Sequence, residues 1–303
     1  MAPGAIALIG FGEAAAAFVA GWREDFPALS PRAFDIKTDS ATQRDSKLAD
    51  YARAGVAGAM TAAEALSGAT IVFSLVTADQ AGSAARAAAA ALRAGALFFD
   101  GNSCSPGTKA QSAAVIEAAG GRYVDVAIMA PVHPKGSKTP LLFAGPHADA
   151  ALSALSALRM QAEPVTGGVG AASSIKMIRS VMIKGLEALV AECMLAGRRA
   201  GVADTVLETL DQTFPGFGWK QRSAYMLERA MTHGVRRAAE MREVAATIEE
   251  LGLPPSMATS TVAWQQAIGD LRLDARSVGE SLEARADAIL AALAATRGAG
   301  GAP

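Results

Sequence analysis

The chain has 303 residues, 51% of them hydrophobic and 19% charged, with a net charge of −1. That length allows about two domains, and the composition supplies a large core and argues against disorder. The charge balance lacks the basic excess of a nucleic-acid binder. Two distant cysteines, Cys104 and Cys193, suggest neither a disulfide framework nor a metal cluster and suit a reducing cytoplasm, and no apolar run of about 18 residues offers a membrane span.

Ala5-Ile6-Ala7-Leu8-Ile9 reads as a strand, not a signal peptide, because no basic region precedes it and Gly10 to Glu13 interrupt it early. Gly10, Gly12 and Ala15 then fit G-x-G-x-x-A, with Phe11 and Glu13 inside the motif, where the strand passes into a helix from Glu13 to Trp22. The first glycine permits the tight turn, and the second lets backbone approach a pyrophosphate. The small third residue packs helix on strand, and the helix N-terminus presents N–H groups to the phosphates. An ordinary strand–turn–helix would carry similar residues, so position matters. Ala33 to Ile36 reads as the next strand, with Asp35 where a dinucleotide fold places the acid that accepts from the adenosine ribose. Its carboxylate would repel a 2′-phosphate and so favours NAD, while Lys37 leaves NADP open. The alternative is that Asp35 simply starts the turn with Thr38, Asp39 and Ser40.

Helix and strand patterns alternate from there. Thr61 to Leu66 is a short helix with Thr61 as N-cap, Thr70 to Val76 a buried strand, Gln80 to Ala94 a helix, and Leu97 to Phe99 a strand ended by Asp100. The polar loop Asp100 to Gly107 follows, and Pro106 can open the next helix. Ligands of open α/β sheets bind outside the carboxyl ends of the strands, where Val76, Thr77, Asn102 and Ser103 all fall. Ser105 as an N-cap would account for that loop equally well. Tyr123 to Ile128 and Leu141 to Gly145 are further strands, with Met129 to Lys138 between them, and Asp149 to Leu158 is a helix. After the break Gly167 to Gly170 no strand pattern remains. Ala171 to Ala200 is one long helix with an apolar stripe of Ile175, Ile178, Met182, Leu186, Leu189, Val190 and Met194. Helices over 204–211, 219–232, 235–251, 257–271 and 282–296 complete the chain, Gly252 and Pro254 stop the third of them, and the tail from Gly298 is expected to fray. The expected architecture is a Rossmann-type doubly wound α/β sheet domain over 1–167 and an all-helical substrate and dimerisation domain over 168–303. The length of the first helical-domain helix points to a second subunit packed against it.

Lys176 stands just after the glycine break, with Ser180 one turn later on the same face and Arg179 beside it. A lysine in a closed cleft can donate or accept a proton near neutrality, although most helical lysines are solvated. His133, after a strand end, is a candidate for a substrate carboxylate or an ordinary loop residue. His233, Arg236 and Arg237 form either an anion site or a solvated face paired with Glu240 and Glu243.

IGFGEAA at the start, FDGNSCSPGT from Phe99 to Thr108 and GVGAASSIKMIRS from Gly168 to Ser180 resemble the β-hydroxyacid dehydrogenase superfamily, which includes 3-hydroxyisobutyrate and 6-phosphogluconate dehydrogenases. The resemblance covers nearly the whole chain. It implies that Lys176 is the catalytic general acid/base, that Gly10, Gly12, Asp35, Thr77 and Ser103 lie around the cofactor, and that two chains interlock as a homodimer. Arg179 and Ser180 stand where the family usually has two asparagines, and Met129-Ala130-Pro131-Val132 replaces its Ser-Gly-Gly loop. The late Lys-Asp pair has no clear counterpart around Arg236 to Glu240. The helical half, with its divergent C-terminal sequence, is similar to a phosphogluconate dehydrogenase-like branch.

The resulting expectation is a cytoplasmic, NAD(P)-dependent oxidoreductase acting on the CH–OH group of a small hydroxy acid or related alcohol. Lys176 takes the hydroxyl proton, Asn102 and Ser180 position the oxygen, and Met129, Arg179 and His133 bind the substrate. Imine reduction is one alternative, although enzymes of that kind generally lack the lysine. A cofactor-binding protein without catalysis is the other.

Overall fold

The computed structural model describes residues 4–299. The chain divides between Met177 and Ile178 into two compact units. Patterning placed the junction at 167/168, on the glycine break. The division lies further along because the first turns of the long helix are bonded to the sheet through Asp125.

The first unit holds strands β1 (Ile6–Ile9), β2 (Arg32–Phe34), β3 (Ala57–Gly58), β4 (Ile71–Ser74), β5 (Leu97–Asp100), β6 (Arg122–Ile128), β7 (Leu141–Ala144) and β8 (Ala162–Pro164), in the order β3-β2-β1-β4-β5-β6-β7-β8. All neighbours are parallel except β6 and β7. Its helices are α1 (Glu13–Asp25), α2 (Arg44–Ala54), α3 (Ala62–Leu66), α4 (Ala81–Ala89), α5 (Pro106–Ala118) and α6 (Ala148–Ala157). Strands covered on both faces read as unbroken apolar runs, and their alternate residues serve two cores. Phe73 and Phe99 stack at 4.9 Å on the face that buries Phe18 and Trp22, while Phe98 and Tyr123 stack at 6.0 Å on the other. The strand order reverses between β1 and β4, which opens a crevice at their carboxyl ends, the place where doubly wound sheets hold ligands.

The long helix α7 (Ala171–Ala200) runs from the first unit into the second, which adds α8 (Ala203–Thr213), α9 (Trp219–Glu250), α10 (Ser256–Asp270), α11 (Ala275–Val278) and α12 (Leu282–Ala299). Among the described residues no strand follows Pro164, and no helix is long and apolar enough to cross a membrane. Of the tail expected to fray, Gly298 and Ala299 belong to α12 and the rest lies outside the described residues.

Two expectations need correction, and two elements stand where none was expected. The stretches 219–232 and 235–251 are one helix of 32 residues, not two. Gly234 lies inside it: a Cβ there would stand 2.4 Å from the Gln265 carbonyl oxygen, and one on Gly269 would stand 2.5 Å from the Val235 nitrogen. The two glycines let α9 and α10 cross backbone against backbone, a use of glycine that helix propensity does not reveal. α4 ends at Ala89, short of the expected Ala94, so that the chain can turn back into β5 through Gly95 at φ +78°. α2 and β3 lie in a polar stretch whose weak apolar periodicity gave no sign of them.

Candidate active site

β1 delivers the chain to Gly10, whose φ is +86° and where a Cβ would stand 2.5 Å from the Leu75 carbonyl oxygen. Only glycine fits such a position. At Gly12 a Cβ would meet nothing within 4 Å, so this side of the turn is open, and α1 begins after it without a side-chain cap. Ala15 is fully buried against the sheet, and Glu13 is exposed in the first turn of α1. An open backbone surface at an uncapped helix start fits the pyrophosphate of a dinucleotide.

Asp35 follows β2 and meets the same turn. Its Oδ2 accepts from Phe11 N at 2.8 Å and its Oδ1 from Lys37 N at 3.0 Å. The acid therefore does start the turn at Lys37 and also holds the glycine motif. The Phe11 side chain is buried, edge-on to Tyr51 at 5.1 Å, so Phe11 offers a ligand only its backbone. Beneath it, Lys47 of α2 donates to the Phe11 carbonyl oxygen at 2.9 Å and pairs with Asp50 at 2.8 Å.

The second group stands at the carboxyl ends of β4 and β5. Lys176, half-buried near the start of α7, donates from Nζ to Ser103 Oγ at 2.7 Å. Residues separated by 73 positions in sequence, both singled out from it, thus meet within the first unit. Thr77 is exposed at the end of β4, and Val76 N donates to Asn102 Oδ1 at 2.7 Å. Asn102 is buried, and its amide also donates to Ser74 Oγ at 3.0 Å. Its side chain stitches the loop after β5 to the end of β4. Ser105 accepts from Thr108 N at 3.2 Å and caps α5, so the capping account of this loop and its place beside Lys176 hold together.

Other candidates lie elsewhere. Met129 packs partly buried beside Ala127, Ala144 and Ala172. His133 is exposed, on a segment that carries Gly136–Lys138 along the second half of α1, where Lys138 pairs with Asp25. Ser180 and Arg179 belong to the second unit, with Arg179 exposed. Ser180 Oγ accepts from Lys184 Nζ at 3.2 Å, and Lys184 pairs with Glu240 at 3.1 Å. Burial, partly offset by Glu240, holds the Lys184 ammonium below the ordinary lysine pKa. Arg236 also pairs with Glu240, at 2.6 Å, and Arg237 turns inward to Glu187, so this basic cluster is largely neutralised by its own helices.

Sequence reasoning missed a buried cluster behind the Ser103 loop. Lys109 of α5 is fully buried, with Nζ 3.0 Å from Asp100 Oδ1 and 3.5 Å from Asp125 Oδ1. Burial alone would lower the Lys109 pKa, but Asp100, Cys104 and Asp125 outweigh it and the net direction is upward. Tyr123 donates to Asp100 Oδ2 at 2.7 Å, and its phenol is pushed well up, by burial first and Asp100 second. A signal was available: Asp125 sits between valines in a strand buried on both faces, and an acid there needs a partner.

A family model described as a domain of unknown function (DUF1932) matches residues 198–268. A conserved hypothetical protein from Sinorhizobium meliloti 1021 is 36% identical, with a TM-score of 0.72 over 96% of this chain and 97% of that one. The conserved protein MTH1747, of unknown function and described as structurally similar to 3-hydroxyacid dehydrogenases, is 28% identical, with a TM-score of 0.66 over 90% and 98% of the two chains. A 3-hydroxyisobutyrate dehydrogenase from Mycobacterium tuberculosis, solved with L-serine, shares the fold at 17% identity, with a TM-score of 0.67 over 96% and 99%. The chain spans 63% of the length of the curated relative it matches, an uncharacterized 28.5 kDa protein of Methanothermus fervidus, at 28% identity over 165 residues that cover 54% of this chain. With a relative of this identity along nearly its whole length, the chain belongs to the family of the Sinorhizobium protein, and its Rossmann-type sheet and helical second half share the fold of the 3-hydroxyisobutyrate dehydrogenases.

Proposed function

We propose that the protein is an NAD(P)-dependent oxidoreductase acting on the CH–OH group of a small hydroxy acid or related alcohol. The observation that carries this reading is the 2.7 Å bond from Lys176 Nζ to Ser103 Oγ, in the same unit as the glycine turn and at the carboxyl ends of the sheet. Gly10, Gly12, the Phe11 backbone and Ala15 would hold the pyrophosphate, Asp35 would face the adenosine ribose, and Val76, Thr77 and Ser103 would line the edge beyond. The bound nicotinamide supplies the hydride acceptor or donor. Ser103 accepts one Lys176 N–H and so orients the amine, and Lys176 takes the hydroxyl proton during oxidation and returns it during reduction. Asp35 favours NAD because its carboxylate repels a 2′-phosphate, and Lys37 is the cation that would tolerate one.

The test is the near-ultraviolet band of the reduced nicotinamide, followed with both cofactors across a panel of short hydroxy acids and in the reverse direction. Turnover with at least one substrate is expected. Tight cofactor binding with no turnover on any compound would instead make the protein a cofactor binder.

The reading includes a cytoplasmic homodimer assembled through the helical domain. Part of the expected α7 stripe, Val190 and Met194, is buried in the core of the second unit. Ile178, Met182 and Leu189 remain 48%, 71% and 57% exposed along the same helix, an apolar row that needs a cover. Light scattering is expected to give a dimer for the wild type and a monomer for Met182→Glu with Leu189→Glu. A wild-type monomer would remove the dimer from the reading.

A further inference from the structure

Two pieces of backbone must be held for Lys176 to meet Ser103: the loop after β5 and the first turn of α7. The buried cluster reaches both. Asp125 Oδ2 accepts from Gly170 N at 3.0 Å, Ser173 N at 3.0 Å and Ser173 Oγ at 3.2 Å. A carboxylate in the middle of β6 therefore caps α7 from outside the helix, where its charge also suits the positive end of the helix dipole. α3 and α5 are capped by Thr61 and Ser105 from their own chain ends, which fixes no helix to a distant strand. Lys176 follows Ser173 by three residues, on the neighbouring turn of the same face.

The other side of the cluster runs to the loop. Lys109 Nζ donates to the Asp100 carbonyl oxygen at 2.5 Å and to Asp100 Oδ1 at 3.0 Å. Asp100 Oδ1 accepts in turn from Asn102 N at 3.0 Å, and Asn102 precedes Ser103. The path from Lys176 through Ser173, Asp125, Lys109, Asp100 and Asn102 ends on Ser103, and the Lys176–Ser103 bond closes it into a ring.

We propose that Asp125 and Lys109 are positioning residues that set the Lys176 amine against Ser103. The proposal rests on the dehydrogenase reading for the task of Lys176, but not for the geometry. Burying an ammonium with two carboxylates is expensive, and apolar side chains of similar volume would commonly hold a core as well. Its return here is a fixed register between sheet and helix at the one point where a loop side chain and a helix side chain must meet.

The experiment is acetylation of the folded protein with acetic anhydride across a pH series, with Lys176 and Lys47 quantified in the same digest by mass spectrometry. Lys47 is a buried lysine of the same unit, bonded to Phe11 and Asp50, and stands outside the ring. In Asp125→Asn and Ser173→Ala, Lys176 should react about threefold faster or more, as the loss of a hydrogen bond implies, and its pH midpoint should move. Lys47 should keep its wild-type rate. Ser173→Ala removes no charge and decides the matter if Asp125→Asn does not fold. An unchanged Lys176 rate and midpoint in the folded variants overturns the proposal, as does an equal rise at Lys47, which would mean general loosening. Shifted labelling with an empty substrate panel defeats the dehydrogenase reading alone, and turnover with unshifted labelling defeats the positioning alone.

Discussion

Lys176→Met is expected to lower turnover about 100- to 10,000-fold, the usual worth of a placed general acid or base, while cofactor affinity stays at the wild-type value. Methionine keeps the length of the stem and its packing but cannot take a proton. Nothing in the glycine turn depends on the lysine: Gly10, Phe11 and Asp35 bond among themselves and to Phe34 and Lys37. Lys176→Arg sharpens the test. It retains the positive charge and can still donate to Ser103 Oγ, but a guanidinium does not give up its proton in the range where enzymes work. If the lysine moves a proton, arginine should be nearly as inactive as methionine. Near-normal turnover with arginine would leave Lys176 an electrostatic anchor. Steady-state rates on the substrate found by the panel, with cofactor affinity from fluorescence titration, separate these outcomes.

The second large effect is on stability. Lys109→Met should cost about 3–5 kcal/mol, the range seen when one partner of a buried ion cluster is removed, measured by urea denaturation followed by circular dichroism. The carboxylates of Asp100 and Asp125 would keep their burial and lose the ammonium that compensates them. The pH dependence has a definite sign. The folded pKa of Lys109 lies above its unfolded value, so its contribution is fully present below the unfolded pKa and is lost only as pH rises through the folded one. The gap between wild type and variant should therefore stay constant from neutral to mildly alkaline pH. Adding Asp100→Asn to Lys109→Met removes one uncompensated charge and should recover part of the loss. A loss under about 1 kcal/mol for the single variant, no more than one ordinary hydrogen bond, would show that the cluster is hydrated or neutral.

The parts of the site that were legible in the sequence are those whose chemistry demands a particular residue at a short spacing. Gly10 and Gly12 are of this kind, because the turn needs a positive φ at one and an open backbone at the other. Asp35 is another, at the end of the next strand, and Ser105 before Pro106 is a third. Lys176 was legible because it stands at the start of a helix that follows a glycine break. The position of Asn102 beyond a strand end was visible in the sequence, but not that its amide joins the loop after β5 to Ser74 and Val76. The gap expected between 219–232 and 235–251 is absent for a related reason: Gly234, inside α9, admits the backbone of α10.

By itself, the sequence determined the alternation of strands and helices, the glycine turn after the first strand and the change to an all-helical second half. These follow from local conformational preference and hydrophobic period, which act over a few residues. The tertiary structure alone decided that Ser103 receives the Lys176 amine, that Asp125 caps a helix 45 residues further on, and that Lys109 is buried between two acids. Hydrogen bonds and ion pairs of that kind join residues with no periodic relation along the chain. What brings them together is the parallel sheet, which sets the carboxyl ends of distant strands side by side.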